Sequence, residues 1–145
     1  MPAGEAGDAT GHHARAGLEA AYRATEYRIG GAVARIGRRS AAVDAMLARW
    51  GVRQAAVLTA WNPRSARMPP GWNERMQRAL LARLRRIGWV EASGTARGWS
   101  ERHIAAPLPA ARAAVLGRLF RQNAIVLLAR RRPARLLWLP GQRRV

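Results

Sequence analysis

From Gln54 to Ala129 the apolar residues change their spacing in an order that few folds accommodate. Gln54 to Thr59 (QAAVLT) is a short apolar run of buried-strand type. Asn73 opens a segment in which Met76, Leu80, Leu84 and Ile87 recur at helical spacing, while Arg75, Arg78, Arg83, Arg85 and Arg86 lie mostly on other faces. Trp89 to Ser93 reads as a strand, Gly94 to Gly98 as a tight turn and Trp99 to Ala106 as the returning strand. Pro109 suits the first turn of a second helix with Ala113, Leu116 and Phe120 on its apolar face. Asn123 to Ala129, rich in Ile, Val and Leu, closes the series as a strand. Strand, helix, strand, strand, helix, strand is the split β-α-β pattern of ferredoxin-like sheets, so the expected fold class is α+β.

The flanks add to this unit. Tyr22 to Ile29 reads as a strand, or as a helix end running into one. Gly30-Gly31 is a turn signal, and Val33 to Ile36 pairs back to give an N-terminal β-hairpin. Ser40 is a good N-cap for a helix carrying Val43, Met46, Leu47 and Trp50, and Gly51 ends it. Arg130 to Pro133 turns, and Arg135 to Leu139 supplies a C-terminal hairpin strand. With 145 residues the chain has length for one core, expected over 18–140, with 1–17 as a mobile tail and 141–145 as a basic C-terminal tail.

Several function classes drop out early. The absence of cysteine removes disulfides, thiolate catalysis and cysteine–zinc sites. No apolar run approaches the roughly 18–20 residues of a membrane span, and the N-terminus lacks the charged start and apolar stretch of a signal peptide. A cytoplasmic protein is expected, without a membrane role. There is no P-loop, dinucleotide glycine fingerprint or Gly-x-Ser-x-Gly elbow, and no His and acid set has metal-site spacing. Neither metal nor cofactor is expected.

The net charge of +18 arises from 26 basic residues, all arginine, against eight acids. Lysine also serves on phosphate, so selection for a phosphate-binding face does not by itself exclude it. A chain rich in Ala, Arg and Gly without lysine reads as the product of a GC-rich genome, and part of the charge is codon bias. The field still attracts anions, so nonspecific nucleic-acid affinity is expected at low salt.

Right-handed crossovers then bring scattered polar residues together. If the Gln54–Thr59 strand finishes at the top of the sheet, the helix near Asn73 starts there. The Trp89–Trp99 hairpin also lies there, and so does the start of the Asn123 strand. Thr59, Trp61 and Asn62 end the first strand, Asn73 sits in a helix's first turn, Trp99 and Glu101 begin the third strand, and Gln122 and Asn123 begin the fourth. Arg64, Arg67 and Arg97 border this end on two loops and are placed to clamp phosphate or carboxylate.

At these residues the chain resembles a bacterial family known as domain of unknown function 3293. The resemblance rests on Tyr22, Thr25 and Tyr27, on Thr59-Ala60-Trp61-Asn62-Pro63 (TAWNP), on Asn73, on Trp99 with Glu101, and on Gln122-Asn123-Ala124 (QNA) after Phe120. It spans about Tyr22 to Leu139. Where the family pattern has Pro and Ser after the Glu, this chain has Arg102 and His103. The resemblance implies a shared site and no particular chemistry.

The residues therefore have plain readings and functional ones. Asn73 suits an N-cap, and Asn62-Pro63 suits the start of a loop. Core packing is favoured for Trp61 and Trp99 over stacking on a planar ligand. Glu101, among arginines, suits a structural ion pair; its functional role is general base or acceptor. His103 shares its strand face. The leading reading is a small-molecule site, catalytic or not, for an anionic or amide-bearing ligand such as a nucleotide. Thr59, Asn62, Asn73, Gln122 and Asn123 orient it, Glu101 accepts, and Arg64 or Arg97 clamps the anion. The alternatives are a basic RNA- or DNA-binding module and a protein-interaction subunit. The sequence leaves the oligomeric state open.

Overall fold

The computed structural model describes residues 6–140, with side chains from Arg15 onward. The expected basic tail at 141–145 lies outside the described residues. The chain is mixed α+β: α1 (Ala6–Ala24), β1 (Glu26–Ile29), β2 (Ala32–Ala34), α2 (Ala41–Trp50), β3 (Gln54–Leu58), α3 (Pro70–Arg83), β4 (Val90–Ala96), β5 (Trp99–Ala106), α4 (Ala110–Leu119), β6 (Ala124–Ala129) and β7 (Arg135–Trp138). A 3-10 turn, Pro63–Ser65, interrupts the β3–α3 loop.

Local chemistry explains most boundaries. The Ser40 hydroxyl accepts from the Val43 N–H at the start of α2, and Gly51 takes the left-handed conformation (φ 70°) that ends it. Pro69 precedes α3 and Pro70 occupies its first position, where a missing N–H costs nothing. The helix thus starts three residues before the expected Asn73, and Asn73 is no N-cap. The β4–β5 turn is tighter than expected: Ala96 pairs with Trp99, leaving only Arg97-Gly98 to turn, with Gly98 at φ 82°.

The expected tail over 1–17 is replaced from Ala6 by helix, and α1 runs to Ala24, directly before β1. Of the two readings for Tyr22 to Ile29, the helix end running into a strand is the observed one. Propensity gave little signal for α1, because Gly11 and Gly17 dilute its alanines. What holds it is tertiary contact: Tyr22 meets Trp138 of β7 edge to face, at 5.8 Å between ring centroids, and the Arg15 guanidinium lies 4.6 Å above the Trp138 ring.

The seven strands form one sheet in the order β2-β1-β4-β5-β3-β6-β7, with every paired neighbour antiparallel. The sheet curls until the segment after β2 meets the start of β7. Ile36 bridges Ala134, the Gly37 N–H donates to the Ala134 carbonyl (2.8 Å), and the Ala134 N–H donates to the Arg38 carbonyl (3.1 Å). Strand alternation then splits the core in two. Tyr27, Ile29, Val57, Val126 and Leu128 pack inside the curl with Val43, Met46 and Leu47 of α2. Leu58, Ile104, Ile125 and Leu127 pack outside it, in one cluster with Leu80 of α3, Leu84 just after it, and Ala113 and Ala114 from α4.

Gly117 shows how closely α4 approaches that outer face. A Cβ there would lie 2.5 Å from Leu139 Cδ1 and 2.9 Å from Ile125 Cγ2. Gly117→Ala gains up to ~1 kcal/mol of helix propensity but forces a β-branched core residue to move, costing ~1–3 kcal/mol. The expected outcome is a lower melting temperature. Gly71→Ala in α3, whose Cβ would meet only Arg75 at 3.7 Å, should be neutral or stabilising; equal effects would mean that α4 does not seat this closely.

Candidate functional site

The curl leaves space at the end of the sheet where α1 covers its inner face. A cavity of about 230 Å³ opens there. Tyr22 comes from α1, Thr25 and Tyr27 from the α1–β1 junction and β1, and Thr59, Trp61, Asn62 and Ser65 from the chain leaving β3. Trp99, Glu101 and His103 come from β5, and Gln122 and Ala124 from the entry to β6.

Asn62 organises the polar part. Its Oδ1 accepts from the Met68 N–H (3.0 Å) and from Asn73 Nδ2 (3.0 Å). With both acceptor sites used, the orientation of the amide is fixed, and Nδ2 donates to Glu101 Oε1 at 2.7 Å. Asn73 completes the lock by accepting the Asn62 N–H on its own Oδ1 (3.0 Å). Asn73 is 2 % exposed and does not line the cavity; it holds the residue that does. Thr59 is a second tie. Its hydroxyl donates to the Arg102 carbonyl (2.6 Å) and accepts the Trp61 N–H (3.0 Å), fixing the exit of β3 against β5. Gln122 Nε2 donates to the Trp61 carbonyl (3.0 Å), and Asn123 Nδ2 donates to the Ser65 hydroxyl (2.9 Å).

Glu101 is not the ion pair its surroundings in the sequence suggested. Among the described residues no arginine pairs with it. The neighbouring Arg102 points to the other face of β5 and spans Glu74 and Glu91, each at 2.7 Å. Burial raises the pKa of Glu101, and the Asn62 amide pulls it the other way. Tyr22 and Tyr27 are raised as well, chiefly by burial, with the Glu101 charge adding to each. Carboxyl and phenols thus share one poorly solvated space. The Trp61 indole Nε1 is buried with no partner among the described residues.

His103 lies beside them, 7 % exposed, with its ring edge to face against Tyr27 at 5.6 Å. It fits because position 94 on β4 is glycine: a Cβ there would lie 2.8 Å from His103 Cε1. Its Nδ1 stands 3.2 Å from the Glu101 carbonyl, so a neutral ring donates from Nδ1 and keeps Nε2 as an acceptor.

The sequence-derived set is therefore divided. Thr59, Trp61, Asn62, Trp99, Glu101 and Gln122 line the cavity. Trp99 is 43 % exposed and Trp61 half-buried, so neither is the core residue favoured for it. Asn73 braces the cavity from behind. Asn123 and Arg64 border a neighbouring cleft, and Arg97 is exposed in the β4–β5 turn and lines neither. Ser65 carried no sequence signal, and Tyr22, Thr25 and Tyr27 carried only the family resemblance.

Residues 58–125 match the family model described as protein of unknown function (DUF3293). Over that stretch the chain is similar to this family. No curated protein and no solved structure matches the chain. The DUF3293 stretch supplies Thr59, Trp61, Asn62, Ser65, Trp99, Glu101, His103 and Gln122 to the cavity, whereas the wall from α1 and β1 lies outside it.

His103 gives a pH test of this packing. Burial pushes its pKa down to about 4 from 6.5, the Glu101 carbonyl opposing. The unfolded chain takes up a proton that the folded ring refuses, so stability is full above pH 6.5 and is lost as pH falls toward 4, on the order of 3 kcal/mol. Glu101, raised when folded, has the opposite sign: acidification through its window stabilises. Melting temperature should fall between pH 6.5 and 4, and His103→Gln should flatten the drop. A profile unchanged by the substitution would mean that the ring does not titrate as a buried neutral group.

Proposed function

We propose that the cavity is a small-molecule site in which Glu101 accepts a hydrogen bond from a ligand N–H or hydroxyl, or acts as general base where a reaction follows. The observation that carries this is the unpaired state of Glu101. Arginines outnumber acids 26 to eight, and a half-buried carboxyl without one among the described residues is exceptional in such a chain. A structural role calls for a cation; a binding role calls for an oxygen left free. Asn62 occupies Oε1, and Oε2 has no partner among the described residues.

The rest of the lining supports a planar, nitrogen-bearing ligand. Trp61 offers an indole N–H, Tyr22 and Tyr27 offer phenols, and Trp99 offers an aromatic face at the rim. A volume of about 230 Å³ suits one or two fused rings rather than a polymer. The amide or nucleobase-like class fits this better than an extended chain. Strands β3 to β6 with α3 and α4 are read as a ferredoxin-like split β-α-β unit, supported by the position of β5 between β4 and β3. That arrangement gathers the ends of β3 and the starts of β5 and β6 in one place.

The test is a thermal-shift screen against nucleobases, nucleotides, sugar phosphates, amino acids and short RNA, at low salt and at ~0.5 M salt, where exposed charge is screened. A ligand that raises the melting temperature in high salt and loses the effect in Glu101→Gln supports the site. Stabilisation by every polyanion that disappears in salt would replace it with the nucleic-acid reading.

A further inference from the structure

We propose that a second cleft beside the cavity, bordered by Arg64, Arg118 and Arg121, is an anion site for phosphate or carboxylate. As the subsite for the anionic group of the cavity's own ligand, it rests on the reading above.

The cleft has a volume of about 130 Å³ and is lined by those three arginines together with Gln122, Asn123 and Trp138. Gln122 lines both spaces, and the Asn123–Ser65 hydrogen bond joins a residue of the cleft to one of the cavity. No acidic residue lines the cleft. The ion pairs of the described residues engage Arg23, Arg28, Arg35, Arg39 and Arg102, and none of these three. All three are exposed, so water screens their repulsion, and an anion among them would gain from all three charges at once.

The backbone at this place is unusual as well. Arg64 and Arg121 both hold left-handed conformations (φ 53° and 56°), as do Asn62 (46°) and Ser65 (62°). The Arg64 N–H donates to the Arg121 carbonyl at 2.7 Å and ties the two segments. At Arg121 this conformation simply closes α4 in a Schellman motif, the Arg121 N–H on the Arg118 carbonyl (3.0 Å) and the Gln122 N–H on the Gly117 carbonyl (2.9 Å). At Arg64, inside the 3-10 turn, no helix end accounts for it, and such costly conformations concentrate where a ligand is held. Guanidinium groups bind phosphate and carboxylate through paired, charge-assisted hydrogen bonds.

The experiment is a titration of the full chain with inorganic phosphate, and separately with acetate, at ~0.3 M NaCl to screen diffuse attraction. Arginine side-chain NMR signals and melting temperature are the readouts. Saturable binding that shifts Arg64, Arg118 and Arg121, and that weakens about tenfold or more in Arg121→Gln, is expected for loss of one charge-assisted contact. Arg78→Gln and Arg85→Gln, exposed on α3 and just after it, should bind as the parent does. The tighter of the two anions names the ligand's charged group. Non-saturating shifts over all arginines, or equal weakening by Arg78→Gln, would overturn the proposal. No cavity ligand is present in this titration, so a cavity that binds nothing leaves its outcome unaltered, and the two readings fail separately.

Discussion

A sheet that is drawn into a curl has an inner face too confined to fill evenly. The bridge between Ile36 and Ala134 sets that constraint, because it brings together segments next to β2 and β7, strands at opposite ends of the sheet order. Helix α2 fills one part of the enclosed face with Val43, Met46 and Leu47. Helix α1 covers the rest, and the space beneath it is the cavity. Depth, shelter from water and the raised pKa values of Glu101, Tyr22 and Tyr27 all follow from this closure.

Within that shelter polar groups need partners, and the chain supplies most of them with neutral amides, the Trp61 indole N–H being an exception among the described residues. Asn62, Asn73, Gln122 and Asn123 each bond to backbone or to another side chain. Losing a partner in such a network costs ~1–3 kcal/mol for the group left behind. Amides suit the task because each donates and accepts, so one residue can fix a strand exit and present a donor as well. Thr59 does likewise with a single hydroxyl. The outcome is a carboxyl held by a neutral donor, with its second oxygen uncommitted among the described residues.

How much of this was legible in the sequence depended on the range of the interaction. Thr59, Trp61, Asn62, Glu101 and Gln122 were legible as neighbours because they sit at strand ends whose relative directions follow from the order of the elements. Tyr22, Thr25 and Tyr27 were not, because nothing in β1 signals that the sheet will curl and bring α1 across its face. The bracing role of Asn73 was hidden behind its reputation as a cap, although Pro69-Pro70 already marked an earlier helix start. The alternative reading of Glu101 as an ion pair fails because Arg102, next to it in sequence, takes the other side of the strand, which composition cannot reveal. Arg97 is in the turn expected for it, but that turn is tighter than five residues of sequence suggested, and Arg97 does not line the cavity.

Residues Glu101, Arg102 and His103 carry three different duties on consecutive positions of one strand. The outer two line the cavity, and the middle one reaches the opposite face to Glu74 and Glu91. Side-chain direction alternates strictly, so one residue gained or lost ahead of Glu101 within β5 would turn Arg102 inward and remove both cavity residues at once. Between Trp99 and Ala106 the cavity therefore tolerates substitution but not a change of length. The count of residues in that strand is thus as much a part of the cavity as the side chains that line it.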